Sequence, residues 1–156
     1  MMTKGYKGVI LRKPLRRMSI VKNYMRKDIS TISTEASATD ASKTMSTDNV
    51  GYIIALEKGR PVGIVTERDL VLKVLAEEKN PKEVKISECM SSPLVTIDPD
   101  GHIEEAVETM KKHGFRRLPV VKNNIIYGIF TAKDLVDHFE EFEYKLTSDL
   151  VRLVPW

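Results

Sequence analysis

The string GIVTERDL occupies residues 63–70 and GIFTAKDL occupies residues 128–135, and the two differ at three positions of eight. A shift of 65 residues superposes them, and the same shift lays Met25 on Met90, Thr31-Ile32 on Thr96-Ile97, Ala41 on Ala106 and Thr44-Met45 on Thr109-Met110. No gap is needed from Met25 to Val71, so one supersecondary unit is written twice. Units of about 65 residues bury a smaller fraction of their surface and are marginal alone, whereas the 156-residue chain has the size of one ordinary domain. The repeats are therefore expected to fold against each other.

The second copy is the clearer to read. Residues 94–97 are patterned as a short strand and 98–101, Asp-Pro-Asp-Gly, as a turn. Ile103, Ala106, Val107 and Met110 then recur at helical spacing, and Gly114 follows Lys111, Lys112 and His113 as a helix stop. Residues 118–121 and 125–131 predict a hairpin about Asn123-Asn124. A helix follows from Ala132, with Leu135, Val136, Phe139 and Phe142 on one side. The first copy predicts the same order over 29–32, 36–46, 51–56, 61–66 and 67–78, with a linker at 79–82. The expected fold class is α/β (α+β), a tandem βαββα repeat with pseudo-twofold symmetry. Its parts are a basic extension (1–20), repeat 1 (21–79), repeat 2 (80–142) and an apolar extension (143–156).

Composition narrows the function classes. With 42% hydrophobic and 30% charged residues, and no apolar run near the roughly 18 residues a helical span needs, the chain is not expected to enter a membrane. One cysteine, Cys89, excludes an internal disulfide and a cysteine-rich metal site, and points to a reducing, cytoplasmic setting. Residues 1–27 hold nine cations and no acid; against a net charge of +3 for the whole, the remainder carries −6. Such an arm is a solvated extension or a contact for nucleic acid or an acidic partner. The apolar end at 150–156, with the single tryptophan, is expected to dock on the body or on a second copy. The methionines at matched positions, Met25, Met45, Met90 and Met110, read as core filler. No nucleophile–histidine–acid set, metal-ligand cluster or GxxxxGK loop is present, so the chain is expected not to be an enzyme.

The repeated string carries its own chemistry. Thr66 and Thr131 stand where a strand ends and a helix begins, a place that favours phosphate. Asp69 and Asp134, three residues on, are acceptor-only groups suited to the two hydroxyls of a ribose. Arg68 and Lys133 add positive charge between them. Thr-x-x-Asp is equally the signature of a capping box, which stabilises a helix and binds nothing. The two roles are compatible.

This doubled unit, ending each time in Gly, two apolar residues, Thr, two variable residues and Asp, resembles a cystathionine beta-synthase (CBS) domain pair over about residues 21–142. The resemblance implies a non-catalytic sensor that binds adenosine-containing ligands in clefts between its repeats. It needs no cofactor, with an adenine nucleotide (AMP, ADP or ATP) as regulatory ligand. Carried over, the cleft at Asp134 would use Ile129, Thr131, Lys133, Arg116 and Arg117, with Lys22, Lys27 and Val50-Gly51 from the first repeat. The cleft at Asp69 would use Ile64, Thr66 and Arg68, with Ser87, Ser92 and Phe115-Arg116 from the second. Because Gly51-Tyr52 stands where the second repeat has Arg116-Arg117, the Asp134 cleft is expected to be the stronger. The family also implies a homodimer through the helices that follow each motif, with Leu70, Val71, Val74 and Leu75, and Leu135, Val136, Phe139 and Phe142 as apolar stripes. A protein partner would then read occupancy. Two other readings stand beside this one: nucleic-acid binding through the basic arm with the pair as regulator, and a structural dimerisation module.

Overall fold

The computed structural model describes residues 20–139; the expectations for the arm before residue 20 and for the apolar end at 150–156 lie outside them. In the first repeat, β1 (Thr31–Ser33) is followed by helix α1 (Ala38–Asp48), β2 (Tyr52–Glu57), β3 (Arg60–Thr66) and α2 (Glu67–Leu70), which runs on as a π-type turn over Val71–Leu75. A short helix α3 (Ile86–Cys89) leads into the second repeat. There α4 (Ile103–His113), β4 (Arg117–Lys122), β5 (Ile125–Thr131) and α5 (Ala132–Asp137) follow. Mixed α and β architecture with two small sheets is therefore what the doubled pattern produces, and β2–β3 and β4–β5 are both antiparallel hairpins.

Local chemistry sets these boundaries. Ser37 and Asp40 form a capping box at the start of α1, and Asn49 ends it in the left-handed region at φ 53°. Gly114 ends α4 at φ 68°. Each hairpin turns on two residues of positive φ, Lys58-Gly59 (49° and 78°) and Asn123-Asn124 (51° and 61°), as a two-residue primed turn requires. Both hairpins carry a register shift at the same repeat position, Ala55/Leu56 and Val120/Val121.

The first strand of the second copy is a correction. β1 pairs in parallel with β2, from Thr31↔Ile54 to Ser33↔Leu56, but residues 94–97 retain a single bridge, Ile97↔Val120. Proline is the reason. In the first repeat Ile54 N–H donates to the Ser30 carbonyl and Thr34 N–H to that of Leu56, both at 3.0 Å. At the same offsets the second repeat has Pro119 and Pro99, which carry no N–H, so both flanking rungs are lost. What remains is the pair of bonds Ile97 N–H to Pro119 and Val121 N–H to Ile97, each 3.0 Å.

Each core is completed by the segment that leads into the other repeat. Ala38, Ala41, Met45, Ile53, Ala55, Val65, Leu70 and Val74 of the first repeat enclose Val84, Ile86 and Cys89. Ile97, Ile103, Ala106, Met110, Leu118, Val120 and Phe130 enclose Val21 and Tyr24, beside a 3₁₀ turn over Val21–Asn23. The leaders then cross the last strand of the opposite hairpin: Arg26 pairs with Ile129 and Ser91 with Ile64, both antiparallel. This crossing explains the glycine that opens each repeated string. A Cβ at Gly63 would lie 2.6 Å from Met90 Sδ and 3.0 Å from the Ser91 carbonyl oxygen; one at Gly128 would strike the Arg26 carbonyl oxygen and lie 2.8 Å from Met25 Sδ. Met25 and Met90 are packed on the edges of the two cores, while Met45 and Met110 are inside them.

The first leader is also clamped electrostatically. Asp100 takes Lys22 Nζ at 2.6 Å and Lys122 Nζ at 3.0 Å, and these two ammonium groups pull its pKa down to about 2. The apolar stripes after the motifs divide. Leu70 and Val74 face the first core and Leu135 packs against the second, whereas Val71, Leu75, Val136 and Phe139 are exposed. Leu72 is exposed beside them. Phe142 lies outside the described residues. No helix among the described residues is long and apolar enough to cross a membrane.

Candidate functional site

Both Thr-x-x-Asp motifs close as capping boxes. Asp69 Oδ2 accepts from the Thr66 N–H and hydroxyl at 2.9 Å each, while Asp69 N–H donates back to Thr66 Oγ1 at 3.2 Å. Asp134 Oδ2 accepts from the Thr131 N–H at 2.9 Å and hydroxyl at 2.6 Å, and its N–H returns to Thr131 Oγ1 at 3.1 Å. One carboxylate oxygen of each aspartate is thus spent on the cap. The other, Oδ1, points toward the opposite leader, and there the two repeats differ.

At Asp69, Oδ1 accepts from Lys73 Nζ at 2.8 Å and from Ser91 Oγ at 3.2 Å. Burial pushes this carboxyl up, but the bonds from Lys73 and Thr66 outweigh it and hold the pKa below the ordinary carboxylate value. Asp69 is therefore an anion at neutral pH. It faces a cavity of about 710 Å³ whose walls come from both repeats, within the range of small-molecule sites. Thr66, Arg68, Asp69 and Ser91 supply its polar groups, and Arg116 and Arg117 supply cations from the start of β4. Ile64, Pro93, Leu94, Val95, Phe115 and Pro119 supply apolar surface. Gly51 lines it too, its carbonyl accepting the Glu67 N–H at 3.1 Å. A Cβ at Gly51 would sit 3.2 Å from the Glu67 carboxylate, so the position is tight for anything larger.

At Asp134, Oδ1 accepts from Arg26 Nε at 2.7 Å, and the side chain of Asp134 is 6% exposed against 50% for Arg26. The guanidinium of Arg117, which lines the first cavity, lies 4.6 Å over the ring of Tyr52. Burial pushes the Tyr52 phenol up, opposed by the charges of Arg117 and Arg26.

The expected site residues are thus regrouped. Gly51, Ile64, Thr66, Arg68, Asp69, Arg116 and Arg117 come together around one cavity. Phe115-Arg116 was expected at Asp69 and the pair Arg116-Arg117 at Asp134; all three residues line the cavity at Asp69, while the backbone of the pair stays beside the Asp134 motif, Arg117 opposite Thr131 and the Arg116 carbonyl accepting the Ala132 N–H at 2.9 Å. Around Asp134 stand Thr131, on the strand end, and Ile129, buried and paired with Arg26. Lys133 is tied to Asp137 at 2.6 Å on the surface. Lys22 is committed to Asp100, Lys27 and Ser92 are exposed, outside the residues that line the cavity, and the Ser87 N–H is used by the Thr34 carbonyl at 3.0 Å.

Sequence reasoning missed Arg26, Ser91, Lys73 and the wall Pro93-Leu94-Val95. For the first two the signal was present: Arg26 and Ser91 are one offset of 65 apart, in the leaders that cross the motif strands. Lys73 is four residues after Asp69, the spacing of a helical ion pair.

The CBS domain model matches residues 21–76 and again 86–141, more than half of the chain. The CBS domain-containing protein YhcV of Bacillus subtilis is 36% identical over 118 residues, covering 76% of this chain and 84% of YhcV. MK0525 of Methanopyrus kandleri is 40% identical over 113 residues, 71% of this chain, which spans only 58% of that protein's length. Among solved structures, the hexameric CBS-CP12 protein of bloom-forming cyanobacteria aligns with a TM-score of 0.70 at 27% identity, over 86% of this chain and 81% of the other. With both copies of the repeat matched and their mutual arrangement shared with solved members, the chain belongs to the CBS domain family, whose members are generally regulatory modules that bind adenosine ligands.

Proposed function

We propose that the chain is a ligand-sensing module that takes an adenosine-containing nucleotide, AMP, ADP or ATP, in the cavity at Asp69. The observation that carries this reading is the convergence, around one volume of about 710 Å³, of an anion, three arginines and an apolar wall drawn from both repeats. An ionised carboxylate accepts hydrogen bonds from a ribose diol, the guanidiniums of Arg68, Arg116 and Arg117 suit phosphate, and the apolar wall suits a base. To reach Asp69 Oδ1 a diol displaces only the Ser91 hydroxyl, the longest of the four bonds at 3.2 Å. Because the walls come from two repeats, occupancy changes how the repeats are tied. The exposed Val71, Leu72 and Leu75, with Val136 and Phe139, offer a surface through which that change reaches a second copy of the chain or a protein partner. Assembly of the cyanobacterial relative into a hexamer supports an oligomeric output.

The arginines that line the cavity at Asp69 support the opposite order of the two clefts from the one expected. Asp69→Ala should weaken binding of the tightest of AMP, ADP and ATP by about tenfold or more, the worth of a charge-assisted hydrogen bond, and Asp134→Ala should leave it nearly unchanged. Calorimetry at matched folded fraction decides, since both variants lose a cap. Equal losses, or a loss confined to Asp134→Ala, would refute the assignment.

A further inference from the structure

Ser91 and Arg26 occupy the same position of the two leaders, and each is rooted by a two-way backbone pair to the opposite motif strand. Ile64 and Ser91 exchange bonds of 3.0 and 2.8 Å, and Arg26 and Ile129 exchange bonds of 2.8 and 2.9 Å. Equivalent roots aim the side chains at equivalent carboxylates. Ser91 presents a hydroxyl on one carbon, reaches Asp69 Oδ1 at 3.2 Å and leaves the space beyond as part of the cavity wall. Arg26 presents a long cationic arm whose Nε donates to Asp134 Oδ1 at 2.7 Å. Half of its side chain is exposed while the aspartate beneath is 4% exposed, so the arginine reaches in from the surface and lies over the carboxylate. With Oδ2 spent on Thr131, Oδ1 is the oxygen a ribose would need. A neutral hydroxyl that displaces the guanidinium keeps a hydrogen bond to Oδ1 but leaves the buried Asp134 carboxylate without its counter-charge.

We propose that Arg26 is a built-in occupant of the second cleft: it takes the ribose position at Asp134, so that the chain holds one nucleotide, at Asp69, and removing the guanidinium creates a second site of the same class. The inference rests on the nucleotide reading of the Asp69 cavity, and Arg26 acts as the residue that decides stoichiometry. A serine at this position is what the first repeat uses against its own aspartate, so Arg26→Ser turns the second cleft toward the first.

The test is calorimetric titration of the full chain with AMP, ADP and ATP in turn, for wild type, Arg26→Ser and Arg26→Ser/Asp134→Ala. The expected result is one site per chain in wild type, two in Arg26→Ser, and a return to one in the double variant. Two sites in wild type, or no site gained by a folded Arg26→Ser, overturns the proposal. Failure of wild type to bind any of the three refutes the reading of the Asp69 cavity instead. In that event a site gained by Arg26→Ser and lost in the double variant still supports the role of Arg26, and no gain overturns it. Should Arg26→Ser not fold, the Arg26 Nε–H resonance of wild-type protein decides. It should keep its carboxylate-bonded position through saturation with nucleotide, and its displacement on titration overturns the proposal.

Discussion

A single residue, the glycine that opens each repeated string, shows how closely the two halves are bound. Neither Gly63 nor Gly128 has a positive φ, so backbone freedom is not the reason for them. Both stand where the opposite leader crosses within contact distance of the strand. The obstacles differ in kind: at Gly63 the nearest atom is the far end of the Met90 side chain, at Gly128 it is the backbone carbonyl of Arg26. A methionine tip moves; a carbonyl held in a two-way ladder does not. Gly128→Ala is therefore expected to lose about 1–3 kcal/mol, the usual cost of overpacking, and Gly63→Ala distinctly less. Urea unfolding of the two variants checks the order, and equal midpoints would sink it. Asp69 and Asp134 make a second point at this scale. Each is at once a helix cap and a site group, since a carboxylate has an oxygen for each task.

Among the elements, the two hairpins and the two first strands show where a duplicated pattern ceases to be a duplicated structure. Asn123-Asn124 and Lys58-Gly59 make equivalent turns, but Lys58 holds φ 49° with a side chain that gains nothing there. Asparagine tolerates the left-handed region better than other L-residues. Lys58→Asn is accordingly expected to raise stability by up to about 1 kcal/mol, seen as a higher urea midpoint at unchanged slope; an unchanged or lower midpoint contradicts it. The first strands diverge because Pro99 and Pro119 delete two donors that Thr34 and Ile54 provide in the other copy. Freed from a ladder, Leu94 and Val95 line the cavity instead.

Across the whole molecule, the crossed leaders make two repeats one folding unit. Ile86 is fully buried in the first repeat's core although it belongs to the second repeat in sequence, and Val21, of the first, is fully buried in the second's. Ile86→Ala is expected to cost about 2–5 kcal/mol, as for any large buried aliphatic, and to lower one transition shared by the whole chain. Far-UV circular dichroism and tyrosine fluorescence should report coincident unfolding. A variant that melts the first repeat while the second persists would show that the repeats are separable after all.

What the sequence by itself determined is what depends on near neighbours and on repetition. The offset of 65 residues, the order of strands and helices, the turns at Lys58-Gly59 and Asn123-Asn124 and both capping boxes follow from spacing and from side-chain preferences acting over a few bonds. Even the loss of the second copy's first strand was written in Pro99 and Pro119. What only the tertiary structure decided is which residues from opposite repeats face each other. Arg117 joins Arg116 at the cavity of Asp69, and Arg26 reaches Asp134 from the leader that crosses Ile129. With the crossing, Val21 and Ile86 are buried each in the other repeat's core, a choice made by close packing between segments distant in sequence, which local pattern does not encode.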